Sequence, residues 1–99
     1  MAYKVNWSPD AIKDLQSICD YLDSEWSPRV TEKFIGECDY WINLISEFPY
    51  LSRATQLDPS IRSVYVSKQN ALYFQITEET IYLLRFYDML QDPSKNPFE

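Results

Sequence analysis

The sequence predicts an α+β fold, in which an antiparallel pair of helices packs on one face of a β-sheet. Apolar residues recur at helical spacing over residues 9–48, whereas the period changes to two over residues 61–87. A Ser-Pro pair precedes each helical stretch, at Ser8 and at Ser27, as is typical of a capped helix start. With 99 residues the chain is predicted to form one domain, residues 1–99.

The N-terminal half is predicted to contain one strand and the two helices. Residues 3–7 alternate apolar and polar side chains, which indicates a half-buried strand. The first helix is predicted to turn one apolar stripe inward, formed by Ala11, Leu15, Ile18, Leu22 and Trp26. The inward stripe of the second helix is Val30, Phe34, Cys38, Trp41, Ile45 and Phe48. Because almost no loop separates them, the helices should form an antiparallel hairpin.

The C-terminal half is predicted to form an antiparallel meander. Residues 49–60 are rich in Pro, Ser, Thr and Asp and indicate a loop. Three β-branched and aromatic segments follow, separated by short polar turns: residues 61–67, 71–76 and 80–87. The tail, residues 89–99, is expected to be irregular. The predicted order of elements is therefore β-α-α-β-β-β.

Alternation also predicts which side chains the sheet leaves exposed. The rows expected in the core are Val64 and Val66 on one strand, and Leu72, Phe74 and Ile76 on the next. Tyr65 and Tyr73 then lie on the opposite face. The last strand is compatible with two inward rows: Ile81-Leu83-Arg85-Tyr87 or Tyr82-Leu84-Phe86. We favour the second row, because it places Arg85 and Tyr87 beside the two tyrosines and predicts an exposed aromatic face with one guanidinium.

Charge and residue types exclude several kinds of chemistry. The net charge is −6, and residues 10–47 hold nine acidic and three basic residues, so strong non-specific binding to nucleic acid is disfavoured. The absence of histidine excludes Ser-His and Cys-His nucleophiles and histidine metal sites. Cys19 and Cys38 are predicted to be reduced, buried thiols. We predict no metal and no cofactor, so that any catalysis would use Lys, Arg, Tyr or carboxylates.

The sequence also indicates a compartment and one candidate surface. No run of residues is long and apolar enough to span a membrane, and residues 1–15 alternate too often for a signal peptide, which predicts a cytoplasmic protein without membrane contact. On the open face, tyrosines could stack bases while Arg62, Lys68 and Arg85 neutralise phosphate. Cross-strand packing and solvated strand ends also explain the same residues, without any binding function. Both interpretations stay open at this point.

Several short motifs follow one another along the chain. The first motif is Trp7-Ser8-Pro9-x-Ala11-x-x-Asp14-Leu15-x-x-Ile18-x-x-Tyr21-Leu22. The others, in chain order, are Phe48-Pro49, Arg62, Tyr73-Phe74 and Asp88-x-x-Gln91-Asp92-Pro93-x-Lys95. In this order the motifs resemble the RelE/ParE superfamily of toxins from type II toxin–antitoxin systems, and the tail motif is most similar to the ParE and plasmid-stabilisation branch. The resemblance implies the α+β fold predicted above.

The resemblance implies a growth-inhibiting toxin neutralised by a cognate antitoxin. A ParE-like member would poison DNA gyrase and would not be an enzyme in that role. The alternative is a RelE-like, metal-independent endonuclease that cuts mRNA on the ribosome. A third possibility is a non-toxic interaction module that keeps the fold, since Leu90 stands where the tail motif usually carries arginine. The expected target is therefore gyrase, or the ribosome with its mRNA.

The candidate site residues follow from both lines of reasoning. In a RelE-like enzyme the resemblance implies that Arg62 binds phosphate, while Arg85 and Tyr87 are candidates from the residue pattern for electrostatic support and proton transfer. The predicted binding residues are Tyr65, Lys68, Tyr73 and Gln91. Because the chain is acidic, we expect the antitoxin segment that binds it to be neutral or basic and to rely on apolar anchors.

Overall fold

The predicted α+β architecture is confirmed in a computed structural model, which describes residues 2–99. The helices are α1, Pro9–Glu25, and α2, Pro28–Glu47. The strands are β1, Lys4–Trp7; β2, Arg53–Ala54; β3, Ile61–Tyr65; β4, Asn70–Ile76; and β5, Thr80–Asp88. Short 3₁₀ helices cover Pro49–Leu51 and Pro93–Lys95.

Both helices start where the Ser-Pro pairs predict. The Ser8 hydroxyl oxygen accepts a hydrogen bond from the Ala11 amide at 3.0 Å, and Ser27 accepts one from the Val30 amide at 3.4 Å. Caps of this type stabilise a helix by about 1 kcal/mol. The Ser8 hydroxyl also donates to the carbonyl of Leu84 at 2.8 Å, so the same residue attaches the start of α1 to β5.

One sheet contains all five strands in the order β1-β5-β4-β3-β2. β1 runs parallel to β5, whereas the β5–β4, β4–β3 and β3–β2 pairs are antiparallel. The prediction of a loop over residues 49–60 is wrong at β2, where Arg53 and Ala54 pair with Ser63 and Arg62 of β3. Two residues are too few to show a period, which is why the sequence pattern does not reveal this strand.

The core lies between the helices and one sheet face. It contains the predicted residues Leu72, Phe74, Ile76 and Val66, together with Ala11, Phe34, Cys38, Ile45, Ile81, Leu83 and Phe86. The favoured inward row Tyr82-Leu84-Phe86 is wrong for Tyr82, which is 39% exposed, while Ile81 and Leu83 are fully buried. The β4–β5 register shifts at this point, because Tyr73 pairs with Arg85 but Phe74 pairs with Leu83. Because of this irregularity, Leu84 has no paired residue in β4, and the Phe86 side chain returns to the core face.

Three residues assigned to the inward helical stripes are exposed instead. Trp26 is 68% exposed, Phe48 is 53% exposed and Val30 is 36% exposed. Trp26 and Phe48 are the C-cap residues of α1 and α2 and have non-helical backbone angles, so their side chains leave the helical stripe. Within residues 2–99, neither helix is long and apolar enough to span a membrane.

Candidate functional site

Arg62 lies in β3 and holds the segment that follows α2. Its Nε donates to the Ser52 carbonyl at 3.1 Å and to the Ser52 hydroxyl at 3.2 Å, and its Nη2 donates to the Ser52 carbonyl at 2.6 Å. Nη2 also reaches the Tyr50 carbonyl at 3.4 Å, and the guanidinium carbon lies 5.3 Å from the centre of the Tyr50 ring. The guanidinium is therefore a ligand for backbone carbonyls of the same chain.

Arg85 forms a two-point ion pair with Asp14 of α1. Its Nε lies 2.7 Å from one carboxylate oxygen and its Nη2 lies 3.0 Å from the other. The first of these oxygens also accepts the Phe86 amide at 3.0 Å. The hydrogen bond to Asp14 is the main reason that the pKa of Arg85 is raised. The expectation that Arg85 offers a free guanidinium on the open sheet face is therefore wrong, because the carboxylate of α1 holds it.

The aromatic face is covered at Tyr73, which corrects the expectation that this ring is exposed. Tyr73 is fully buried, whereas Tyr65 is 49% exposed as predicted. The Tyr87 ring lies edge-on to Tyr73, with centroids 6.5 Å apart at 87°. The Tyr87 hydroxyl is buried and has no hydrogen-bond partner among the residues that the structure describes. Burial is the main reason that the pKa of Tyr73 is raised, which disfavours this residue as a base.

The cover over Tyr73 is the tail, residues 89–99, which packs on the sheet although most of it is irregular, as expected. The Phe98 ring stacks on Tyr73 with centroids 4.4 Å apart and an angle of 18° between the planes. The Asn96 side-chain amide donates to the Tyr73 hydroxyl at 3.0 Å, and this hydroxyl donates to the Glu99 carboxylate at 3.2 Å. Glu99 also forms an ion pair with Arg53 of β2. The tail thus occupies the surface that the sequence predicts to be open.

A cavity of about 300 Å³ lies beside these contacts. Its lining includes Tyr87, Asn96 and Glu99, together with Arg53 and Gln91. The predicted residues Tyr73, Tyr87 and Gln91 are thus close to one another around the tail. Among residues 2–99, no hydrogen bond connects Arg62 or Arg85 to Tyr87 (each arginine has other partners), so the three candidate catalytic residues are not one hydrogen-bonded cluster.

Sequence reasoning missed Arg53 as a site residue. Arg53 lies in the segment interpreted as a loop, and its partner Glu99 is 46 residues away. The ion pair with Arg53 is the main reason that the pKa of Glu99 lies below its usual range. An acidic residue near the end of the chain is too common to predict such a pair. Lys68, predicted to bind, is exposed just after β3, in the turn before β4.

The chain matches a known family over most of its length. The model of the family described as "ParE toxin of type II toxin-antitoxin system, parDE" matches residues 5–93. The chain belongs to the ParE toxin family. This result confirms the resemblance to the RelE/ParE superfamily and to its ParE-like branch, and it assigns the chain a toxin role.

The fold of this ParE family member is similar to a solved structure described as "Chromosomal ParDE TA system from P. aeruginosa". The TM-score is 0.72 at 16% sequence identity, and the alignment covers 88% of this chain and 96% of that one. At this identity the likeness concerns the fold. No curated protein is significantly similar in sequence.

In the described part of this ParE family member, the side chains that could bind a metal do not lie together in one cluster. Among residues 2–99, no group of three or more His, Cys, Asp or Glu side chains could hold a metal ion. Cys38 is buried, and desolvation is the main reason that its pKa is raised to about 12, so the thiol stays protonated near neutral pH. Cys19 is half-buried, and its pKa is also raised by burial and by nearby acidic residues. Both residues are free thiols, as predicted, but the prediction that both are buried is wrong for Cys19.

Proposed function

We propose that this protein is a ParE-like toxin that inhibits growth in the cytoplasm by binding DNA gyrase, and that a cognate antitoxin neutralises it. Membership of the ParE family supports the toxin role. One observation favours binding over RNA cleavage: both candidate catalytic arginines are already bound to groups of the same chain. Arg62 is hydrogen-bonded to Ser52 and Tyr50, and Arg85 is paired with Asp14.

Metal-independent RNA cleavage makes demands that this geometry does not meet. It needs a cation at the reacting phosphate and a group that takes the proton of the ribose 2′-hydroxyl. Releasing Arg62 would remove the hydrogen bonds that the carbonyl and hydroxyl oxygens of buried Ser52 accept from it, and releasing Arg85 would leave Asp14 without its ion pair. Tyr87, the candidate for proton transfer, keeps its hydroxyl buried. A role in plasmid stabilisation would follow from growth inhibition by gyrase binding, without any enzymatic step of the toxin itself.

The target is tested by expressing the protein from an inducible promoter in bacteria that lack the antitoxin. Incorporation of labelled thymidine and methionine is followed in parallel after induction. We expect thymidine incorporation to fall first, and we expect the purified protein to inhibit supercoiling by purified gyrase. An early loss of methionine incorporation with cut mRNA would support the ribosomal alternative. Continued incorporation of both, with folded protein accumulating, would support the non-toxic module.

The acidic helical hairpin determines which antitoxin segment this surface favours. Eight of the nine acidic residues in the hairpin region are exposed: Asp10, Asp20, Asp23, Glu25, Glu32, Glu37, Asp39 and Glu47. Like charges across an interface oppose association, so we expect a neutral or basic segment with apolar anchors. Added salt should then weaken binding or leave it unchanged. A strongly acidic segment that binds most tightly at low salt would contradict this prediction.

Two variants of exposed residues distinguish the effect of removing a charge from the effect of changing the surface in general. If the segment is basic, Glu37→Gln in the exposed part of α2 should weaken its binding about two- to fivefold at low salt. Thr77→Ala, in the exposed β4–β5 turn, carries no charge change and serves as the control. The dissociation constant of the toxin and the antitoxin segment is measured by isothermal titration calorimetry at two salt concentrations.

A further inference from the structure

The Glu99 carboxylate occupies a set of donors that is suited to an anion. It is paired with the guanidinium of Arg53 and accepts the Tyr73 hydroxyl at 3.2 Å. Both donors belong to the sheet, Arg53 in the edge strand β2 and Tyr73 in β4. Charge-assisted hydrogen bonds of this kind are stronger than neutral ones and select acidic groups. The sheet therefore provides an anion site that one residue of the tail fills.

An aromatic platform lies beside the anion site. Phe98 stacks on Tyr73 at 4.4 Å, and Tyr87 supports Tyr73 from the edge at 6.5 Å. Stacked and edge-on aromatic pairs contribute binding energy beyond the area that they bury. The platform thus holds one ring, and the neighbouring donors hold one carboxylate, in the order in which Phe98 and Glu99 follow each other along the chain.

The platform is also next to unfilled space. The cavity of about 300 Å³ is lined by Tyr87, Gln91 and Asn96, and the Tyr87 hydroxyl is buried without a hydrogen-bond partner in the described part of the chain. A buried hydroxyl without a partner lacks the hydrogen bond that such groups normally make. The tail therefore fills the ring and carboxylate positions and leaves a polar group beside them unused.

From these contacts we infer that the sheet face formed by Arg53, Tyr73 and Tyr87 is a binding site for an extended peptide segment of a partner protein, with an aromatic residue followed by an acidic residue. Residues 96–99 occupy this site within the chain and compete with the partner segment. The occupant seen in the structure is itself such a peptide. A net charge of −6 disfavours the polyanionic alternative, a nucleic acid. The gyrase proposal assigns no surface of the toxin, and peptide binding is measured without gyrase, so failure of one proposal does not imply failure of the other.

Tethering determines how strongly the tail competes. A segment on a short linker acts at an effective concentration in the range of about a millimolar. A free peptide with the same contacts should therefore bind the native chain weakly. It should bind at least about tenfold more tightly when the tail loses its ring and its carboxylate.

The test uses the full chain with the double change Phe98→Ala and Glu99→Gln. The probe is a fluorescein-labelled peptide with the sequence of residues 92–99, amidated at its end so that the glutamate side chain carries the charge of that residue. Binding is measured by fluorescence anisotropy. We expect the double variant to bind the peptide at least about tenfold more tightly than the native chain, and the single variant Glu99→Gln to be intermediate.

Two control variants and a second probe peptide make the result specific to this site. Arg53→Ala in the double-variant background should weaken peptide binding at least about tenfold, because it removes the main donor to the acid. Arg29→Ala removes an exposed arginine at the start of α2 and should leave binding unchanged. A second probe peptide with alanine and glutamine in place of its phenylalanine and glutamate should not bind.

Several results would overturn the inference. One such result is that neither the single variant Glu99→Gln nor the double variant, when folded, binds the probe better than the native chain does. Equal binding of the two probe peptides is another, as is binding that does not depend on Arg53. Tighter binding of uridine 5′-monophosphate than of the peptide would assign the site to nucleotides instead. Melting curves of each variant identify any loss of folding. If only the double variant unfolds, the peptide affinity of the single variant Glu99→Gln tests the inference.

Discussion

Replacing Asp14 by alanine is expected to lower the free energy of unfolding by about 2–3 kcal/mol. The Asp14 carboxylate accepts the Phe86 amide at 3.0 Å and both nitrogens of the Arg85 fork. Alanine leaves the Phe86 amide of β5 without its acceptor and removes one of the polar contacts between α1 and β5. Urea denaturation followed by circular dichroism measures the change.

Three further variants separate the contributions to this effect. The Arg85 side chain is 48% exposed, so solvent screens the ion pair, and Arg85→Ala should cost only about 0.5–1 kcal/mol. Asp14→Asn keeps an oxygen for the Phe86 amide and should fall between the two alanine variants. Asp20→Ala, on the exposed side of α1, should change stability by less than about 0.5 kcal/mol. If Arg85→Ala cost as much as Asp14→Ala, the ion pair and not the Phe86 amide would carry the energy.

Sequence patterns predict those parts of the fold that repeat. The helices start at the Ser-Pro pairs because Ser8 and Ser27 cap them, and strands β3 and β4 follow the two-residue period. The last strand breaks the period at Leu84, where the register with β4 shifts. Alternation assumes an unbroken ladder, so it assigns Tyr82 to the wrong face.

The candidate site depends on contacts between residues that are far apart in the chain. Alternation along its own strand places Tyr73 opposite the core and predicts exposure, but the tail, 16 to 26 residues later, covers it. An irregular tail has no period that could predict its docking position. The residue pattern indicates Arg85 as a candidate, whereas its partner Asp14, 71 residues earlier, stands out only as part of a motif. A sequence shows the type of each residue, but the folded chain determines which distant residue it contacts.

Arg62→Ala is expected to lower the free energy of unfolding by about 2 kcal/mol and to reduce toxicity only through the loss of folded protein. The guanidinium satisfies the carbonyl of buried Ser52 and reaches that of Tyr50. Without it, Tyr50 and Ser52 lose their side-chain attachment to β3, although β2 stays paired with that strand. The measurement combines urea denaturation with inhibition of gyrase supercoiling, expressed per folded molecule.

The same variant distinguishes an anchoring arginine from a phosphate-binding one. If Arg62 anchors the segment, inhibition per folded molecule should stay within about twofold of the native protein, whereas RNA cleavage would lose at least about a hundredfold without its cation. Lys68→Ala, in the exposed turn after β3, removes a cation without an internal hydrogen bond in the described chain and should leave stability unchanged. A loss of toxicity at native stability would contradict the anchoring role. Among residues 2–99, no other side chain donates a hydrogen bond to the carbonyls that Arg62 contacts. We therefore expect the Arg62→Ala change to alter stability and not chemistry.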